Sequence, residues 1–172
     1  DLAAGIHDYL KPWQGNAYTD YSTHCIYRNQ NTPDSIARYK ELVDAGFPSV
    51  KIFTTNIRPP TAEGTTLTPI GKIDTGRMGD LMEQIGRHGG VLAVHGEDDE
   101  LVMYNYLLAQ QRGLWDWYNV HLIHSKAVED LAFRHVVRLA QRTGVGMYFV
   151  HVTAQDGLDV ISEARAAGMP VY

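Results

Sequence analysis

Short apolar runs alternating with amphipathic helical stretches constrain this chain more than any other feature. Val145 to Thr153 reads Val-Gly-Met-Tyr-Phe-Val-His-Val-Thr, an apolar run with one histidine near its end. Upstream, Val91 to Glu97 reads Val-Leu-Ala-Val-His-Gly-Glu, again with the histidine directly after the apolar residues. Pro48 to Phe53 is a third run, and it places Lys51 where a buried strand would carry Val or Ile. Runs of this length bounded by turn residues read as strands: Ser49 to Phe53, Val91 to His95 and Met147 to Val152.

Helical patterns fill the intervals. Thr32 and Pro33 open a helix whose apolar face is Ile36, Tyr39, Leu42 and Val43, with Gly46 placed for a left-handed C-terminus. Met78, Leu81, Met82 and Ile85 make a second face, stopped by Gly89-Gly90. Ser125 opens a third, with Val128, Leu131, Ala132, Val136, Leu139 and Ala140. Thr153 caps a fourth that uses Leu158, Ile161, Ala164 and Arg165. Leu2 to Leu10 carries a shorter helical pattern ended by Lys11-Pro12. Ala17 to Ile26, rich in aromatic and hydroxyl residues, reads as a further strand before the first of these helices.

Strands and helices in alternation with short connections are βαβ units and imply a parallel sheet. Four strands, with a fifth beginning at Pro170-Val171-Tyr172, fit a small open doubly wound sheet or part of a (β/α)₈ barrel. A complete barrel takes about 250 residues, so the 172 residues are expected to form a partial TIM barrel of about four βα units, a single domain over 1–172. Two crossovers depart from the minimum. Asn56 to Thr75 has prolines, glycines and threonines and no period, and it follows a strand's C-terminal end, so it reads as an active-site lid or rim. Asp98 to Ile123 holds a helix carrying Leu101, Val102, Tyr104, Leu107 and Leu108, broken by Gly113. Trp115 and Trp117 follow as packing or interface anchors.

Composition narrows the partners. With 44% hydrophobic and 20% charged residues the chain is that of an ordinary folded protein. A formal charge of −5 without a Lys/Arg cluster argues against nucleic acid. No run of about 18 apolar residues predicts a membrane span. The one cysteine, Cys25, supports neither a disulfide framework nor a thiolate zinc site, which points to a reducing, cytoplasmic location.

Ligands of parallel α/β proteins bind at the C-terminal ends of the strands, where Lys51, His95 and His151 all fall. Two neutral imidazoles with an anionic oxygen make a site for Zn²⁺ or a similar ion. A lysine ammonium cannot ligate a cation, so Lys51 fits only when neutral or covalently converted to an anion. Other residues have simpler readings. His121 and His124 sit in a crossover and suit surface or helix-cap roles. Glu97, Asp98, Asp99 and Glu100 after His95 could reach a metal, but acidic residues at the positive end of a helix are expected in any case.

Several segments resemble the cyclic amidohydrolases, in particular dihydropyrimidinases and hydantoinases. They are Asp20-Tyr21-Ser22-Thr23-His24, Ser49-Val50-Lys51-Ile52-Phe53, Ala93-Val94-His95-Gly96-Glu97-Asp98, Phe149-Val150-His151-Val152-Thr153 and Gly157-Leu158-Asp159-Val160-Ile161. Their order covers nearly the whole chain, and the separation of 56 between His95 and His151 is one that the family shows. The resemblance implies a central section of a barrel that hydrolyses a cyclic amide or imide at a binuclear centre of two divalent ions, Zn in type. Lys51 matches the lysine carboxylated by CO₂ into a bridging carbamate, and His95 and His151 match two histidine ligands. His24 matches a residue near the site, for which a second-shell or packing role is expected.

Two departures accompany the resemblance. The family's His-x-His pair and its general acid/base aspartate have no match in Asp1 to Tyr172, so the fragment is expected to be inactive alone. Where the family carries a substrate-holding tyrosine five residues after the lysine, this sequence has Asn56. An allantoinase- or dihydroorotase-like ring preference, a non-catalytic scaffold on the same fold, and an autonomous flavodoxin-like module are the alternatives. The parent protein is expected to be a homo-oligomer.

Overall fold

The computed structural model describes residues 2–56 and 71–172. The stretch expected to form a lid or rim lies outside the described residues from 57 to 70. Four strands, β1 (Cys25–Ile26), β2 (Ser49–Phe53), β3 (Val91–His95) and β4 (Gly146–Phe149), form one parallel sheet in the order β1-β2-β3-β4. Val171 pairs in parallel with Met147, so the segment around it runs along the other edge of β4. A doubly wound sheet reverses its strand order at a switch point. Here every crossover steps in the same direction, as in the wall of a barrel.

Eight α-helices are described: α1 (Leu2–Leu10), α2 (Pro33–Ala37), α3 (Tyr39–Asp44), α4 (Thr75–His88), α5 (Asp99–Gln111), α6 (Val120–Ile123), α7 (Lys126–Ala140) and α8 (Gln155–Ala166). No helix among the described residues is long and apolar enough to cross a membrane.

The two faces of the sheet differ. Val50, Ile52, Leu92, Val94, Met147 and Phe149 are buried in one core with Ile36, Tyr39, Leu42, Leu81, Met82, Ile85, Phe133, Val136 and Ile161 of the helices. On the alternate face Ser49, Lys51, Phe53 and His95 are only partly covered, and Val91 and Tyr148 are exposed; Ala93 is buried there. Parallel register places Lys51 beside Ala93 and Phe53 beside His95 on that second face. A sheet covered by helices on one side leaves its chemistry-bearing side chains on the other.

Local signals account for most boundaries. The Thr32 hydroxyl accepts from the Ser35 N–H and opens α2. Asp74 does the same for α4, which ends at Gly89 with φ 74°. The helix expected from Pro33 to Gly46 is divided at Arg38, whose ψ of 9° leaves the helical range, yet Ile36, Tyr39 and Leu42 still face the core.

Other expectations need correction. The strand predicted over Ala17 to Ile26 shrinks to Cys25–Ile26, with Tyr18 and Tyr21 exposed. Aromatic and hydroxyl residues suit a pleated surface, but suitability supplies no pairing partner. β4 ends at Phe149, three residues before the predicted Val152. Leu131 and Leu158 are exposed, while Phe133 and Val160 join the expected Val128, Ala132, Val136, Ala140, Ile161 and Ala164 in the buried faces of α7 and α8. The crossover after β3 forms a small core of its own from Val102, Ala109, Ile123 and Val128, with Tyr106 and Leu114 against it. Trp115 lies near the Tyr106 ring, and Trp117 is exposed.

Candidate active site at the strand ends

His95 is the last residue of β3, and His151 follows β4 by two positions. The structure brings them together: His95 Nδ1 and His151 Nε2 are 2.8 Å apart. His151 holds a left-handed backbone, φ 41°, and no other described non-glycine residue has a positive φ. Such a conformation costs about 1–3 kcal/mol and persists where the surroundings impose it. Glu129 of α7 imposes it in part. Its carboxylate accepts from the Thr153 N–H, the Thr153 hydroxyl and the Ala154 N–H, fixing the chain just after His151. The expected cap of α8, Thr153, is thus one residue early, and the capping carboxylate comes from another helix.

Glu97 completes the cluster. One carboxylate oxygen lies 2.8 Å from His95 Nε2 and the other 2.6 Å from His124 Nδ1. Tyr106 Oη is 3.0 Å from His124 Nε2. Burial by itself would raise the Glu97 pKa, but the hydrogen bonds and charge of His124 and His95 outweigh it and hold the carboxyl at about 2. An ionised carboxylate only accepts, so His95 carries its proton on Nε2 and turns the Nδ1 lone pair toward His151. The His151 pKa is lowered, first by burial and then by the neighbouring His95, which favours the neutral imidazole.

Two further contacts set this loop. The Thr54 hydroxyl donates to Glu97 O and accepts from Glu97 N–H, at 2.7 and 2.8 Å. Between the two site residues Gly96 passes so close to Phe133 that a Cβ would lie 2.6 Å from its ring.

Lys51 occupies the adjoining strand, two residues inward, on the same open face. Its Nζ lies 5.1 Å from the Phe53 ring centroid, and that ring is in turn 5.1 Å from the His95 ring. Among the described residues no carboxylate pairs with it, and burial lowers its pKa to about 8. Because the unfolded chain binds this proton up to its ordinary value of 10.5 and the folded chain only up to about 8, stability gained from deprotonation rises with pH between those limits. Urea titrations of the metal-free protein at pH 7 and pH 10 should show this rise, and Lys51→Met should flatten it.

The remaining predicted positions are less central. His24 lies at the N-terminal edge of the sheet, with Nδ1 2.8 Å from the Ser49 hydroxyl at the start of β2, and the structure does not bring it to the histidine cluster. Asn56 is buried beyond β2. Its backbone N–H donates to Asp99 Oδ1 at 2.7 Å, and its side-chain Oδ1 has no partner among the described residues. Asp99, expected to be a solvated helix opener, also pairs with Lys72 and accepts from Thr55.

Sequence reasoning missed the roles of Glu97, His124 and Glu129. Only Glu129 left a signal, as an acid set among Val128, Ala132, Phe133 and Val136 on a buried helical face. Among the described residues no three His, Cys, Asp or Glu side chains converge as a metal site. The donor set nevertheless fits part of one: two imidazole nitrogens face each other, and an unpaired, desolvated amine stands on the same face. Two imidazoles cannot complete a tetrahedral shell, so further ligands would come from Lys51 and from outside these residues.

No protein-family model matches the chain. A D-hydantoinase from Streptomyces coelicolor is 25% identical over 171 residues, covering 99% of this chain and 34% of that protein. An allantoinase from Streptomyces avermitilis is 27% identical over 139 residues, 81% of this chain and 28% of that protein. The solved D-hydantoinase from a Bacillus sp. AR9 superposes with a TM-score of 0.85 at 21% identity, covering 100% of this chain and 35% of that one. The D-hydantoinase (dihydropyrimidinase) from Thermus sp. gives 0.84 at 23% identity with the same coverage. The chain spans about a third of the length of the relatives it matches. By sequence the chain is similar to a D-hydantoinase and an allantoinase, and its fold is that of about a third of the solved hydantoinase chains.

Proposed function

We propose that this chain contributes Lys51, His95 and His151 to a divalent-metal centre that hydrolyses the C–N bond of a cyclic amide or imide in the protein to which it belongs. The observation that carries the reading is the approach of His95 Nδ1 to His151 Nε2 at adjacent strand ends, with Lys51, which has no carboxylate partner among the described residues, on the same face. When bound, two ions of the zinc type would supply Lewis-acid polarisation of the amide carbonyl and an activated water.

The protein's own residues do the rest. His95 Nδ1 offers its lone pair to the Nε2–H of His151, a proton that a divalent ion would displace, and Glu97 holds His95 in that tautomer. The Lys51 amine, brought to a pKa of about 8, has a share of its neutral form free to add CO₂ and become an anionic carbamate. Asn56 lies just past the strand that carries Lys51, and its side-chain amide is proposed as a substrate contact. The free thiol Cys25 supports a reducing, cytoplasmic location, and exposed Tyr104, Trp117, Tyr118 and Leu122 support a contact surface for a second copy. The relative named allantoinase favours a second choice of ring within the same chemistry.

Metal analysis of the full-length protein, beside ring-opening assays on hydantoin, dihydrouracil, allantoin and dihydroorotate, tests the reading. About two divalent ions per chain are expected in the wild type and fewer in His151→Ala, with one ring turned over in preference. A metal-free protein that opens none of these rings would refute it.

A further inference from the structure

We propose that Glu97, backed by His124 and Tyr106, is the positioning residue for His95, so that the crossover α5–α6 sets the geometry of the site; the inference rests on the metal-dependent reading above. Glu97 is not a helix-opening acid. Asp98 caps α5 by accepting from the Leu101 N–H, and Glu97 lies before that cap with its backbone clamped by Thr54. Its side chain is only 15% exposed. A carboxylate so covered is ordinarily paired with Lys, Arg or a helix end. Here both oxygens are given to imidazoles, one of which faces the proposed centre.

The donors can be assigned in sequence. His95 Nε2–H and His124 Nδ1–H both donate to Glu97, which leaves His124 Nε2 to face the Tyr106 hydroxyl. Nδ1 of His95 is then the lone pair turned toward His151 Nε2. His124 and Tyr106 are themselves held by the small core of Val102, Ala109, Ile123 and Val128, and the Asn105 side chain donates to Ile123 O at 3.0 Å. The orientation of His95 is therefore tied, through two hydrogen-bonded side chains, to a helical excursion outside the sheet.

Glutamine at 97 keeps the shape but offers one acceptor to two donors, so one imidazole must change tautomer or lose its bond. The test uses full-length protein stripped of metal and titrated with Co²⁺, reading the dissociation constant and the visible d–d absorption, with the melting temperature of the metal-free form as a measure of fold. Glu97→Gln should bind Co²⁺ about 10–100-fold more weakly, with an altered absorption band and an unchanged metal-free melting temperature. Tyr106→Phe should weaken binding about fivefold, and in the double variant the two effects should not multiply, because Tyr106 reaches His95 only through His124 and Glu97. His151→Ala reports on the underlying reading. If it weakens binding while Glu97→Gln and Tyr106→Phe bind and absorb as the wild type does, the positioning role is overturned and the metal reading stands. If His151→Ala binds Co²⁺ as tightly as the wild type, the metal reading fails and the inference falls with it. Should Glu97→Gln lower the metal-free melting temperature sharply, Tyr106→Phe decides: a shifted band with an intact fold supports the proposal, and an unshifted one refutes it.

Discussion

Lys51→Ala in the full-length protein is expected to lower ring-opening activity by about 10³-fold or more, which corresponds to a barrier higher by about 4 kcal/mol. The reason lies in where the lysine stands. It occupies a central position of β2 on the open face, in register with Ala93, with no carboxylate partner among the described residues. Its one described contact that favours a charge is the Phe53 ring at 5.1 Å, and burial outweighs it and brings the pKa to about 8. At pH 7.5 about a quarter of such amines are neutral, against about one in a thousand at the ordinary lysine value. The neutral nitrogen can attack the carbon of CO₂, forming an N–C bond and releasing its proton to solvent, and the product is an anion suited to a divalent ion. Reconstitution in CO₂-free buffer should therefore reduce metal loading of the wild type, and bicarbonate should restore it. Lys51→Arg should be as inactive as Lys51→Ala, because a guanidinium stays charged and does not carboxylate. Wild-type turnover in Lys51→Ala would remove the lysine from the mechanism.

Legibility in the sequence followed the range of the interaction. Periodicity reports which residues face a core, so Met78, Leu81, Met82 and Ile85 were readable and are all buried. The alternation of runs and helices was enough for a parallel sheet, and histidines at the ends of two runs were enough to place His95 and His151 at one edge. The strand order, which separates a barrel section from a doubly wound sheet, is a tertiary fact that the alternation left open. Failures lie where a partner is distant in sequence. Glu97 resembles any acid ahead of a helix until His124, 27 residues later, folds back onto it. His24 precedes a short strand that aligns with the beginning of β2, so its register puts it at the far edge of the sheet from His151. Leu131 and Leu158 fit an apolar stripe in sequence, yet they fall at its exposed margin, and Phe133 and Val160 take the buried side.

Glu129→Ala is expected to destabilise the protein by about 3–5 kcal/mol, a large share of a typical domain's 5–15 kcal/mol. The residue is 7% exposed and carries no Lys or Arg partner among the described residues. Its charge is held by the Thr153 and Ala154 N–H groups, the Thr153 hydroxyl and the N-terminal end of α8. Alanine at 154 has no side chain with which to cap that helix, so removing the carboxylate leaves the buried Ala154 N–H without its acceptor and returns the Thr153 N–H and hydroxyl to water. Gly157 makes room for the arrangement, since a Cβ there would lie 2.3 Å from Glu129 Oε1. Glu129→Gln keeps an acceptor but turns an amide NH₂ toward N–H donors, and should cost about 1–3 kcal/mol. Urea unfolding of the full-length protein measures both values, and a loss below about 1 kcal/mol for Glu129→Ala would show that water replaces the carboxylate at no cost. The same grip holds the chain two residues beyond His151, whose left-handed backbone would relax without it. Metal affinity in Glu129→Ala should accordingly fall along with stability, through the His151 side of the pair and with the Glu97–His95 bond intact.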